Sequence, residues 1–313
     1  MLPSPWTVPL DPLLLVAVVL VCALVVVSLR STRGERGAWR RSAGPAGALL
    51  LAAAWLSPLQ TVASHYLLTA HLFQITLVMG VVPPLLLLGL PGHIALRVPT
   101  LLLRAGAAAV HPLTGMVTVN VVFFAWHLTS AYDASLRSPV LYSVQQLSLL
   151  IASVPFWWPI VVPMGHRVLS RWATLGYILV ATIPQTFGGI TVALARHALY
   201  PTYGAAPRLF GLGVMADQEI AGACIALVSK LALFTAFAVI FMHMLSEPAP
   251  DNNDDDDGGG GGGGRRPGAD RPSPQPSGSV PWLAHLNSGR TVAEPAPAPR
   301  RIRVPARAGS RRD

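Results

Sequence analysis

The sequence predicts an all-α membrane protein with seven transmembrane helices, its N-terminus outside and its C-terminus cytoplasmic. Three observations carry this. Of the 313 residues, 52% are hydrophobic and only 12% charged, a composition foreign to soluble domains of this size. Apolar runs of bilayer length, about 20 residues, recur along the chain. The arginines fall mainly in alternate loops between those runs.

The spans read as residues 11–29, 46–64, 69–90, 108–128, 139–162, 172–195 and 218–245. Met1-Leu2-Pro3-Ser4-Pro5-Trp6 has no basic region before the first run, and basic residues follow it, so the first span reads as retained rather than cleaved. The link between the second and third spans is short and apolar. Pro83-Pro84 falls inside the third and predicts a kink there, or the end of its regular part before Gly89-Leu90-Pro91.

Orientation follows from the loops. Arg30, Arg33, Arg36, Arg40, Arg41, Arg97, Arg104, Arg167 and Arg171 occupy one side; Arg137, Arg196 and Arg208 occupy the other. The positive-inside rule places the first group in the cytoplasm. Residues 1–246 thus form a seven-span membrane domain. From residue 247 the composition changes to an acidic run, a glycine run and a Pro, Ser and Arg-rich end, which predicts a disordered cytoplasmic tail over 247–313. Its arginines form no aromatic-interleaved patch, so nucleic acid is not an expected partner, while membrane lipid is.

Cys22 and Cys224, the two cysteines, lie in apolar segments and predict no disulfide framework. No phosphate-binding loop, nucleophile elbow or HExxH motif is present. A membrane enzyme using Lys230 or Asp217 as base lacks a paired nucleophile, so the chain is read as a non-enzyme.

The polar residues that interrupt the spans are the functional candidates, because ionisable groups near hydrocarbon are costly. His71 and Gln74 open the third span, and Trp126-His127 closes the fourth. Tyr142 and Gln146 start the fifth on one helical face. Tyr200 and Tyr203 lie in the last outer loop, and Asp217-Gln218 opens the seventh span. All fall at one predicted membrane face.

Imidazole suits copper, zinc and iron, and thioether or thiolate suits cuprous copper. His71 and His127 are therefore the candidate metal ligands, with Met79, Met215 or Cys224 as soft additions. Two readings of Asp217 stand side by side: orienting a ligating imidazole, or simple capping as the N-cap or a first-turn residue of its own helix. Lys230 sits near mid-span and must pair, lose its proton or snorkel. A lysine in a seventh span invites comparison with microbial rhodopsins, but Ala226 stands one turn earlier where an acid belongs.

Several ordered blocks then converge: Ala70-His71-Leu72-Phe73-Gln74, Val82-Pro83-Pro84-Leu85-Leu86, Trp126-His127 with Tyr132-Asp133, Phe156-Trp157-Trp158-Pro159, Leu199-Tyr200-Pro201-Thr202-Tyr203, and Ala216-Asp217-Gln218-Glu219-Ile220-Ala221-Gly222. In these blocks the chain resembles the CtaG-type cytochrome c oxidase assembly factors, over about residues 45–245. The resemblance implies a bacterial plasma-membrane protein that helps mature haem-copper oxidase, with oxidase subunits as partners and copper as the metal. It implies copper contacts at His71 and His127. Ile75, Tyr142 and Gln146 stand where that family usually has further histidines, which leaves a scaffold role without metal as one alternative. A small-solute or metal transporter, motivated by the kinked third span and Lys230, is the other.

Overall fold

The computed structural model describes residues 2–31, 37–90, 111–161 and 169–246. All lie within one compact unit. The tail from residue 247 and the loop residues Arg33, Arg36, Arg97, Arg104 and Arg167 lie outside the described residues. Among the described residues every regular element is helical. Five helices are long and apolar enough to cross a membrane, and seven spans result if each of two bent helix pairs counts as one.

Helix α1 (Pro12–Ser31) begins where Asp11 Oδ1 accepts the amides of Leu13 (2.9 Å) and Leu14 (3.2 Å). It buries only Leu14, Val18 and Ser28, so most of its apolar surface is left outward. The predicted second span, 46–64, is instead a bent pair. Helix α2 (Ala38–Trp55) starts earlier than expected and meets α3 (Pro58–His65) at 48°. The cause is Ser57-Pro58: proline has no N–H to continue the ladder, and the Ser57 side chain caps the new helix by accepting from Leu59 N at 3.2 Å.

The third span is continuous over Leu68–Gly89, but its interior is not regular. Helix α4 (Leu68–Thr76) passes into a π-helical turn, π1 (Leu77–Val81), and then into α5 (Val82–Gly89). The helix continues through Pro83-Pro84 and ends at Gly89, and its irregularity, π1, lies immediately before the two prolines. Pro83 has no N–H for the carbonyl four residues back, Met79 O, and its ring would strike it. The wider π turn moves that carbonyl aside, and Trp157 Nε1 donates to it at 2.9 Å.

Helix α6 (Pro112–His127) and α7 (Thr129–Arg137) form the second bent pair, at 72°. Helix α8 (Pro139–Val161) and α9 (Arg171–Leu194) follow; Ser170 caps α9 by accepting from Ala173 N at 3.2 Å. After a short loop helix, α10 (Pro201–Ala205), the last span runs as α11 (Val214–Ala223), a second π turn π2 (Cys224–Val228) and α12 (Ser229–Ser246).

Helix packing pairs α2 with α5, α6 with α8, and α11 with both α9 and α4. Small residues allow the closest approaches, as expected where lipid supplies no hydrophobic drive between helices. A Cβ added at Gly222 would lie 2.4 Å from Ala193 N, and one at Gly189 would lie 2.7 Å from Ala226 N. This contact holds α11 against α9 and explains the glycine that ends the Asp217 block. The largest core cluster runs from Leu72 and Ile75 through Phe123, Tyr132, Leu149 and Trp157 to Ala221 and Ile225.

Candidate functional site: a buried polar layer at the histidine end

The chain directions bring the starts of α4, α8 and α11 and the end of α6 to one end of the bundle. There the predicted polar residues meet as a layer of hydrogen bonds.

Asp217 is 1% exposed. It stands in the first turn of α11, one of the two positions the capping reading allowed, but its carboxylate oxygens bond to the amides of another helix rather than to an imidazole or to its own helix start. Gly213 occupies the N-cap of α11. Asp217 instead caps the third span. Its Oδ2 accepts Leu68 N at 2.8 Å and its Oδ1 accepts Thr69 N at 2.9 Å, while Thr69 Oγ1 donates to Asp217 O at 2.8 Å. Leu67, the N-cap residue of α4, offers no side-chain acceptor. The orphan amides of a helix start carry partial positive charge, so a carboxylate from another span satisfies both them and itself.

Gln218 does the same for the loop that follows α9. Its Oε1 accepts Leu199 N at 2.8 Å, and its Nε2 donates to His197 O at 3.1 Å. That clamp presents Tyr200 and Tyr203 to the layer. Burial, with the Asp133 carboxylate nearby, raises the Tyr200 phenol above its ordinary value. Burial raises Tyr203 too. Both phenols therefore remain protonated donors. Tyr200 donates to His127 O at 3.1 Å.

His71 is fully buried. Tyr203 gives its hydroxyl proton to the Ala63 carbonyl, so His71 Nδ1–H donates to the Tyr203 oxygen, 2.8 Å away. A neutral imidazole then has Nε2 as acceptor. Nε2 faces the Gln145 carboxamide at 3.2 Å, and the carboxamide turned with its NH2 toward the ring supplies the donor that Nε2 accepts. Both His71 nitrogens are thus engaged by protein.

His127 differs. Its Nδ1–H donates to Phe123 O at 2.7 Å, which makes Nε2 the lone-pair nitrogen. That atom is buried and has no hydrogen-bond partner. Phe123 stacks on the ring at 3.9 Å. Tyr132 lies between the two histidines, its ring 4.8 Å from His71 and 5.6 Å from His127.

Gln74 is the hub of the layer. Its Nε2 donates to Ala54 O and to Gln60 Oε1, both at 2.6 Å. Its Oε1 accepts from Tyr142 OH at 2.6 Å and from Gln146 Nε2 at 3.3 Å. Trp55 Nε1 in turn donates to Gln146 Oε1 at 3.1 Å. All four capacities of the carboxamide are filled. The one-face reading of Tyr142 and Gln146 therefore has a purpose: both reach the same oxygen.

Lys230 is not part of this layer. It follows π2, and helical rise puts it on the order of 20 Å along the span from Asp217. Sequence reasoning missed Gln145 and Gln60, and named Tyr132 only within a block that carries the resemblance. The adjacent pair Gln145-Gln146 inside an apolar span was the available signal, since neighbours on a helix point about 100° apart and serve different partners. Among the described residues, no three or more His, Cys, Asp or Glu side chains are gathered as a metal-ligand group. Of the soft candidates, Met79 is buried within π1 and Cys224 begins π2.

Long apolar helices around a densely hydrogen-bonded polar layer define a multi-pass helical membrane protein. The profile of the cytochrome c oxidase caa3 assembly factor family (Caa3_CtaG) matches residues 20–247. The chain belongs to that family, and the match reaches into the first span, beyond the residues whose blocks carry the resemblance. Comparison with curated proteins and with solved structures gave no match.

Proposed function

We propose that this protein is a non-catalytic assembly factor for haem-copper cytochrome c oxidase in the bacterial plasma membrane, and that it holds cuprous copper for the oxidase at its outer face. The histidine end is that outer face, with the N-terminus outside and residues 247–313 in the cytoplasm. Family membership supports the assembly role. One observation supports the metal role: His127 presents a buried imidazole lone pair that no protein donor uses. A buried acceptor without a proton donor is costly, and a cation satisfies it. His71 is the second nitrogen, reached when Gln145 releases Nε2. As cargo, the metal would sit on these two residues.

A second reading is favoured by His71 itself. Both of its nitrogens are engaged, and Tyr142 and Gln146 stabilise the layer through Gln74, so the same fold also suits a scaffold that contacts the oxidase without metal. Copper bound to the purified full-length protein separates the readings. The metal reading expects copper in the wild type that is lost in His127→Ala and weakened in His71→Ala. No copper in the wild type, with oxidase activity still lost on gene deletion, supports the scaffold. Normal oxidase content in the deletion strain at low copper overturns the assembly role itself.

A further inference from the structure

A cavity of about 290 Å³ lies at the histidine end, between the segment before α1 and helices α3, α7 and α8. Beside leucines and prolines, its walls include Asp11, His65, Gln60, Ser135 and Tyr142. The N-terminal segment that forms one side is fixed in place: Thr61 Oγ1 donates to Thr7 O at 2.7 Å, and Tyr66 OH donates to Pro3 O.

Three of these wall residues bond directly into the buried layer. Gln60 and Tyr142 both bond to Gln74. Ser135 Oγ lies 3.3 Å from the Gln145 carboxamide, and Gln145 in turn contacts His71 Nε2. The wall thus reaches the buried imidazole in two ways: through Gln145, and through the Tyr142 ring, which lies 5.1 Å from that of His71. The two wall residues not in this network carry cation chemistry. Asp11 holds a negative charge at the cavity; its Oδ2 accepts Ser143 Oγ at 2.7 Å and keeps a lone pair. Ser64 Oγ donates to Gln60 O at 2.8 Å, so His65 Nδ1–H donates to Ser64 Oγ at 2.7 Å. His65 Nε2 is then the lone-pair nitrogen, ready to accept a cation.

We infer that this cavity is a capture vestibule for the metal cation, and that Ser135 and Gln145 form its passage to the His71–His127 site. Asp11 supplies the attracting charge and His65 the first nitrogen. The inference rests on the metal-holding reading above. Gln145 has two roles here: it occupies His71 Nε2 at rest, and its movement both opens the passage and frees that nitrogen.

The test uses the full-length protein in lipid nanodiscs, with Cu(I) offered in a chelator that absorbs only while metal-bound, so that loading is read as a rate. Asp11→Asn with His65→Gln is expected to slow loading about tenfold, the scale of lost electrostatic steering and capture; Asn still caps α1. His127→Ala lowers the amount bound instead. Separately, Leu136→Cys, at a half-buried wall position, in a Cys22→Ala, Cys224→Ala background should react with a membrane-impermeant thiol reagent, and the adduct should slow loading. Wild-type loading rates in the double variant, or a Leu136→Cys thiol that fails to react or reacts without slowing loading, overturn the vestibule alone. No copper bound by the wild type removes the metal reading and the vestibule together.

Discussion

Replacing Asp217 by Ala tests the central contact of the polar layer. The carboxylate is 1% exposed and accepts two backbone amides, Leu68 N at 2.8 Å and Thr69 N at 2.9 Å. Alanine leaves both amides buried at a helix start without acceptors. Each unsatisfied buried donor costs about 2 kcal/mol, so the pair amounts to about 4 kcal/mol, less what relaxation of α4 recovers. Hydrogen–deuterium exchange by mass spectrometry reads this locally. About 2 kcal/mol at each site corresponds to roughly 30-fold faster exchange for the peptide holding Leu68 and Thr69. Asp217→Asn keeps one acceptor and places an NH2 against the other amide, so it should fall between wild type and alanine. If Asp217 acted as a cap of its own helix, exchange would rise at residues 214–217 instead. Unchanged exchange at Leu68 and Thr69 in Asp217→Ala would refute the interhelical cap.

The packing and the π turn have consequences of their own. Gly222→Val places side-chain atoms where even a Cβ meets Ala193 N at 2.4 Å; overpacking should cost about 2 kcal/mol or more, read as a lower thermal midpoint in detergent. Trp157→Phe keeps the ring but abandons the Met79 carbonyl in π1, with an expected loss of about 1–3 kcal/mol; a 13C=O label at Met79 should shift in its amide I band, and an unshifted band would contradict the assignment. Gln74→Leu strands acceptor and donor groups of Ala54, Gln60, Tyr142 and Gln146 at once, so its destabilisation should exceed that of Tyr142→Phe in the same melting assay. Tyr200 and Tyr203 have phenols raised by burial. Their contribution is fully present below the unfolded phenol value of about 10 and is lost as pH rises beyond it. Thermal midpoints should thus fall above about pH 10, less steeply in Tyr200→Phe; equal slopes would count against it.

The polar residues picked out in the spans do gather at one end of the bundle, and the periodicity argument for Tyr142 and Gln146 holds in a shared Gln74 oxygen. The roles within that layer were not readable. Nothing local to Asp217 tells that its carboxylate serves the amides of a helix 149 residues distant in sequence. Nor does His71 announce that both nitrogens are occupied while His127 keeps one free; that depends on Tyr203 and Gln145, which come from two other elements. The form of the irregularity before Pro83-Pro84, a π turn, has the same origin, because Trp157 on α8 supplies the donor that makes the freed carbonyl tolerable.

By itself the sequence determined the features that composition and local order control: a helical membrane chain, the approximate spans, the candidate residues and the family. These are properties of hydrophobic run length and side-chain type, which act within one segment. Only the tertiary structure decided which helix Asp217 caps, which histidine nitrogen is available, and where a cavity with a carboxylate and an imidazole approaches them. Hydrogen bonds in a buried layer join groups far apart in the chain, and their donor and acceptor balance exists only once the helices are packed.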